Sequence, residues 1–316
     1  MARRELDYVR QKLDWMREQR IWPNGLRYLW TDAFGLVLYV SLYRETGEQR
    51  WLDAAKDLVV DVDCILGRSR GYRIGEAPDR DGQYFHYLAM WLFALARLGE
   101  HEPHYREKGI SVAKDIHRPF VLPGRGVIWK MEEDLSAPYP GYGLGAMDAF
   151  DGYVSYRLLG EAALGQEIAE MRELIEAQYR SLAIDQDLGL GMMLWLAHFF
   201  PAEPWAKVQT ERSIAALDRL WNDPPGFFSR SSRERDTRIA FANYGVALGL
   251  AAANMWPERV TKLNDYFERY RSGDEYDREA ITHVMGCTAR LPGAFLAEHC
   301  KHVSGGRREA HAFAPT

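Results

Sequence analysis

Two aspartates occupy settings that suit opposite jobs in acid–base chemistry. Asp81 lies in Asp79-Arg80-Asp81-Gly82-Gln83-Tyr84-Phe85-His86, where Arg80 is expected to keep a carboxylate ionised. Asp148 lies in Met147-Asp148-Ala149-Phe150-Asp151, among apolar and aromatic neighbours. Burial there is expected to raise its pKa and make it a general acid. Two carboxyls with different environments are what cleavage of a glycosidic bond requires. A third, Asp32 in Leu29-Trp30-Thr31-Asp32-Ala33-Phe34, is expected to line the same subsite. Each of Asp32, Asp81, Asp148 and Asp187 also suits the start of a helix, where free N–H groups and the positive dipole end attract carboxylates. A pocket with polar walls is the reason to give some of them chemistry instead.

Aromatic residues make up 13% of the chain, with 10 Trp and 17 Tyr, enough to fill a large core and also to line a pocket. Flat rings pack against the C–H faces of sugars. Trp30, Trp129, Tyr142 and Tyr244 are the candidate platforms, and they serve equally as core or loop anchors. Asp151 is a candidate substrate contact. His86, beside Tyr84 and Tyr87, reads as a core histidine or a substrate contact, and His283 as a second base. Arg73 and Lys130 could meet the carboxylate of a uronic acid, or be ordinary surface cations. Glu132, Glu133 and Asp134 read as a solvated turn.

What must position these groups is a sixfold alternation. Six times an apolar, aromatic-rich helical segment follows a more charged one, and an acidic or amide residue stands at or near the start of five of the six. The first charged segment runs from about Arg3 to Gln19, with Leu6, Val9, Leu13 and Met16 at helical spacing. Its partner, about Tyr28 to Thr46, is apolar all round, which a helix tolerates only when buried on every side. The later apolar segments begin near Gln83, Met147, Asp187, Ile239 and Arg278. About twelve helices and no strand are predicted. Buried rods paired with solvated ones predict an all-α fold, an (α/α)6 toroid in which the starts of the inner helices gather at one mouth. A helical solenoid would keep a fixed period, whereas these segments start at irregular intervals after unlike loops. The longest irregular stretch, Pro119 to Gly145, carries Trp129-Lys130-Met131-Glu132-Glu133-Asp134-Leu135 and is expected to be functional. One barrel domain is expected over 1–302, with a disordered tail over 303–316.

Net charge of −5 and a pI near 6.0 speak against nucleic-acid or anionic-membrane partners. Cys64, Cys287 and Cys300 have no CxxC spacing, so neither a zinc site nor a disulfide framework is predicted. No signal-peptide core and no 18-residue apolar run is present, which predicts a cytoplasmic location. Phosphate-loop, GxGxxG and HExxH patterns are absent, no GxSxG elbow is predicted, and no metal or other cofactor is expected.

Over about residues 5 to 298 this organisation resembles the six-hairpin, (α/α)6-barrel glycosidase superfamily. Within it, unsaturated glucuronyl and rhamnogalacturonyl hydrolases carry an Asp-x-Gly-like element at the second inner helix and a catalytic Asp at the third. Asp81-Gly82 and Asp148 stand at those places here, although Asp81 is followed directly by Gly82. That resemblance implies protonation of a C4–C5 enol-ether double bond followed by addition of water. The resulting expectation is a glycoside hydrolase of small oligosaccharides, with Asp148 as proton donor, Asp81 as its partner and Asp32 in the subsite. The alternatives are a sugar isomerase or 2-epimerase using His86 or His283, and a non-catalytic carbohydrate-binding protein on the same barrel.

Overall fold

In a computed structural model the chain forms two concentric rings of helices; residues 2–227, 238–273 and 275–297 are described. The inner ring is α2 (Leu29–Thr46), α4 (Phe85–Leu98), α6 (Asp148–Gly160), α8 (Asp187–Ala197), α10 (Ala240–Ala252) and α12 (Ala280–Arg290). The outer ring is α1 (Ala2–Glu18), α3 (Gln49–Leu66), α5 (Pro103–Phe120), α7 (Gly165–Gln178), α9 (Pro204–Leu220) and α11 (Pro257–Arg269). Each inner helix packs on the next, and α12 returns to α2, so the ring closes. The predicted toroid is the observed one. The expected tail, 303–316, and the end of the expected domain, 298–302, lie outside the described residues.

The hydrophobic pattern explains which helix goes where. Every residue of α2 from Leu29 to Leu42 is buried, because neighbours enclose it on all sides. On α1 only one stripe, Val9, Leu13 and Met16, is fully buried, and its charged face meets water. Gly47 ends α2 in the left-handed conformation (φ 68°), its N–H bonding to the Tyr43 carbonyl. Proline occupies the first helical position of the outer helices α5, α9 and α11, where its missing N–H has no partner to lose.

The far end of the barrel is stopped by the segment after α12. Phe295 packs against Phe34, Phe93 and Trp195 at ring distances of 5.1, 6.1 and 6.4 Å. Its carbonyl accepts the Trp195 indole N–H at 3.0 Å, and the Ala294 N–H donates to Ser41 Oγ at 2.8 Å. The opposite end stays open.

One expectation is corrected. Five strands of two or three residues decorate the open end: β1 (Gln83–Tyr84), β2 (Val121–Leu122), β3 (Gly126–Ile128), β4 (Lys130–Met131) and β5 (Leu144–Gly145). They are too short to leave a period-2 signature in sequence. All pairings are antiparallel, β1 with β4 and β3 with both β2 and β5. They turn the long stretch before α6 into a folded flap. Among the described residues no helix is long and apolar enough to cross a membrane.

Candidate active site

The open end holds a cavity of about 420 Å³. Trp30 of α2, His86 of α4, Asp148 and Asp151 of α6, and Met192 of α8 face it, together with Trp129 of the flap. The remaining wall comes from Leu144 to Met147, from the connection between α7 and α8 (183–186) and from Leu188 and Gly189 in the first turn of α8.

Asp148 is the most enclosed acid in it. Its side chain is 6% exposed, and Oδ1 is buried without a hydrogen-bond partner. Burial pushes its carboxyl up to about 8, although the backbone N–H groups of Asp148 and His86 pull the other way. Its position in the first turn of α6 also favours the charged form, so desolvation outweighs the helix dipole. Asp151 follows one turn later on the same face. Burial, with the charge of Asp148 adding, holds it well above the ordinary carboxylate range. Two acids sharing a cavity titrate as a pair, because ionising one makes the other harder to ionise.

His86 Nδ1 lies 3.9 Å from Asp148 Oδ1. The imidazole sits among the rings of Tyr87, Tyr84, Trp30 and Trp129, at 4.6, 5.4, 5.8 and 6.4 Å. Burial drives its pKa down to about 3, so the ring is neutral at physiological pH. Water reaching the 26% of the side chain that faces the cavity moderates this shift without restoring a charge at pH 7.

The flap places Trp129 through its backbone. The Trp129 N–H donates to the Gly143 carbonyl at 3.0 Å, and the Trp129 carbonyl accepts the Phe85 N–H at 3.1 Å. Its indole stacks on Tyr84 at 5.7 Å and 23° and is 41% exposed, a flat face available at the mouth. Gly145 does something different. A Cβ there would lie 1.8 Å from Asp148 Oδ2, so the carboxyl rests directly on a backbone that only glycine leaves bare.

Asp32, Asp81 and Asp148 do not share one hollow as the sequence suggested. Asp32 is 1% exposed and faces Arg27, Trp22 and the Tyr28 N–H, outside the cavity lining. Asp81 lies just before β1 and turns to the flap, accepting from the Tyr139 hydroxyl at 2.7 Å and Lys130 Nζ at 3.2 Å, which hold its carboxyl below the usual range. The adjoining Gly82 takes φ +74°, and a Cβ there would press on Lys130 and the Met131 carbonyl at 2.7 Å. Tyr142 is a layer behind the mouth, its ring 5.4 Å from Trp129. His283 packs edge-on against Trp15 at 4.9 Å, and Tyr244 is buried 6.2 Å from Phe267; neither lines the cavity. Arg73 and Lys130 are occupied elsewhere, Arg73 by Glu133 at 2.7 Å and Lys130 by Asp81. Glu133 is therefore no solvated turn residue but a clamp on Arg68 and Arg73.

The residues sequence reasoning missed are Gly145 and the wall carrying Ile184, Asp185 and Gln186. The opening Asp185-Gln186-Asp187-Leu188-Gly189 was the available signal, but its first two residues line the cavity while Asp187 turns inward to accept the Leu188 N–H at 2.8 Å.

A ring of six buried helices inside six outer ones, open at one end, decides the architecture. The fold is the six-hairpin (α/α)6 barrel. Solved structures agree. A sugar epimerase from a ruminal bacterium superposes with a TM-score of 0.65 at 13% identity, covering 90% of this chain and 98% of that one. The cellobiose 2-epimerase of Spirochaeta thermophila DSM 6192 gives 0.61 at 13% identity, over 85% and 86%. The GH76 alpha-mannanase of Bacteroides thetaiotaomicron gives 0.63 at 10% identity, over 92% and 96%. At such identities the likeness speaks for the fold. No family model and no curated protein matches the chain.

Proposed function

We propose that this barrel is a carbohydrate-active enzyme, a glycoside hydrolase of small oligosaccharides, with Asp148 as proton donor and Asp151 as its partner. The observation that carries this reading is a carboxyl held up to about 8 on the wall of an aromatic-lined cavity, beside a second raised carboxyl. A group with that pKa is protonated at pH 7 yet releases its proton easily, which is what a general acid needs. Asp148 gives its proton to the glycosidic oxygen as the bond to the anomeric carbon breaks, while Asp151 stays protonated beside it. Water adds to that carbon and returns its proton to the Asp148 carboxylate, which restores the starting state. Trp30 and Trp129 would flank the sugar ring. The solved structures of this fold include a mannanase, which supports hydrolysis as chemistry the barrel can host. A cytoplasmic setting fits Cys64 and Cys287, which are free thiols.

A second reading, a sugar isomerase or epimerase, draws on the His86–Asp148 contact and on the epimerases among the solved structures. It is the weaker one, because a histidine pushed down to about 3 is a poor base and His283 is elsewhere. Incubation with a panel of disaccharides and mass analysis of the products separates the two. Hydrolysis yields two smaller sugars with uptake of water; a product of unchanged mass would overturn the hydrolase reading.

Gly145 provides a further check on Asp148. Gly145→Ala forces the carboxyl off its seat, and displacement of a reacting group by about 1 Å can cost on the order of 10²-fold in rate. The basic limb of the pH–rate profile should also move to lower pH, because the displaced carboxyl meets more water. A variant that merely lost stability would leave that limb where it was.

A further inference from the structure

We propose that a recess behind the connection between α7 and α8 is a second binding site, which takes a phosphoryl group, either free as inorganic phosphate or carried by a small organic phosphate. This site is separate from the proposed activity, since none of the acids of the mouth cavity lines it. The recess has a volume of about 370 Å³. Ala183 and Ile184 line both it and the mouth cavity, so the two lie back to back across one stretch of chain. The opposite wall is α9, whose Arg212, Ala216 and Arg219 follow at helical spacing on one face.

The charge lining the recess is of one sign. Among the described residues it holds Arg180, Arg212 and Arg219 and neither aspartate nor glutamate. All three arginines are exposed, and among the described residues none of their guanidinium groups meets a carboxylate within 4 Å. Arg212 is partly used. Its Nη1 donates to the Leu182 carbonyl at 3.2 Å and its Nη2 to the Arg180 carbonyl at 2.7 Å, so it covers the negative end of α7, which would otherwise repel an anion. Arg180 lies over the Tyr179 ring at 4.5 Å and donates no side-chain hydrogen bond among the described residues. Arg219 donates none there either.

Ser213 adds an observation independent of charge. It lines the same recess, is 1% exposed, and its Oγ is buried with no hydrogen-bond partner. Ser41 and Ser155, buried in the inner helices, bond carbonyls one turn back. Ser213 does not, and a buried hydroxyl left so in a cavity wall is a place where a ligand supplies the missing acceptor. A phosphoryl group suits the whole set. Its three oxygens are enough to accept from the guanidinium forks of Arg180 and Arg219 and from the Ser213 hydroxyl. Its charge of about −1.5 to −2 at pH 7 compensates the unpaired cations. A carboxylate brings less charge and one oxygen fewer. Leu182, Leu190 and Ala215 supply apolar ground for the carbon part of an organic phosphate.

The test is calorimetric titration of the full chain at pH 7 and low salt with inorganic phosphate, glycerol 3-phosphate and acetate as probes. Phosphate in one or both forms is expected to bind at least about tenfold tighter than acetate, one order of magnitude in Kd. Tighter binding of glycerol 3-phosphate assigns an organic phosphate as the ligand, and equal or tighter binding of inorganic phosphate assigns the free anion. Arg180→Gln and Arg219→Gln should each weaken phosphate by about tenfold. Ser213→Ala should weaken it several-fold without lowering Tm, because the hydroxyl has no partner to lose. Trp129→Ala, at the mouth cavity, should leave it unchanged. Phosphate bound no tighter than acetate, or not at all, overturns the proposal. So does binding that survives both arginine changes together, or that fails only in Trp129→Ala. Wild-type phosphate affinity in Ser213→Ala also overturns it, by reducing the site to a diffuse positive surface. None of these outcomes touches the hydrolase reading, whose acids lie across Ala183 and Ile184.

Discussion

Asp148→Asn is expected to lower turnover by about 10²–10⁴-fold, the range that a positioned general acid contributes, while the protein folds normally. Asparagine keeps the shape of the side chain and removes the proton it can give. The stability change has a predictable sign. In the folded chain burial raises the Asp148 carboxyl to about 8, far above its value in an unfolded chain. Between about pH 4 and 8 the folded state therefore holds more protons than the unfolded state, and the wild type loses stability as pH rises through that window. Asparagine has no proton to lose. Thermal melts at pH 5 and pH 8 should show the variant at least matching the wild type, with the gap in its favour widest at pH 8. Wild-type turnover should hold up to about pH 8, where the acid form is depleted. Turnover near the wild-type level in the variant would remove Asp148 from the chemistry. A variant that melts well below the wild type at pH 8 would mean that the carboxyl is not held protonated by burial.

How much of this could be read in the chain depends on what each residue has to face. The barrel is legible because a helix that is apolar all round, like 29–42, can only be an inner one, and a striped helix like α1 can only be an outer one. The raised Asp148 is legible for the same reason: Met147, Ala149 and Phe150 announce a dry environment. What sequence hides is direction. Asp32 and Asp148 both occupy the first turn of an inner helix, yet one points at Arg27 and the other at the cavity. Helical phase relative to the barrel axis decides that, and it is set by packing with segments far away in the chain. Asp81 seemed the natural partner because Arg80 adjoins it, but the fold aims it at Lys130, 49 residues away, across the β1–β4 pair. Asp151 gave no separate signal; it belongs to the site because it lies one turn after Asp148. Gly145 could not have been singled out at all. Its role exists only because a carboxyl three residues later lies on its Cα.

Arg27→Met is expected to be the most damaging change away from the cavity. Arg27 Nη1 lies 3.2 Å from Asp32 Oδ1, with both side chains no more than 2% exposed. The contact is ionic, since Nη1 makes no well-aligned hydrogen bond; Nη2 is instead bonded to the Pro23 and Gly25 carbonyls. Asp32 also accepts the Trp22 indole N–H at 2.9 Å and the Tyr28 N–H at 3.3 Å, so the pair ties the loop after α1 to the start of α2. Burial already lifts Asp32 to about 6, against the pull of Arg27 and Trp22, so it is ionised at pH 7 but only just. Removing the cation strands a buried carboxylate, which costs about 3–5 kcal/mol, a large share of the 5–15 kcal/mol or so that holds a domain folded. The pH dependence identifies the cause. A raised folded-state pKa means stability that falls as pH climbs from about 4, and without Arg27 that fall continues past 6. Denaturant titrations should therefore show wild type and Arg27→Met closest at pH 4 and furthest apart at pH 7. Adding Asp32→Asn to Arg27→Met removes the stranded charge and should recover much of the loss at pH 7. If the double variant keeps normal turnover, Asp32 has no part in the chemistry and belongs to the frame. If the single variant melts like the wild type at pH 7, the buried pair is not what anchors α2.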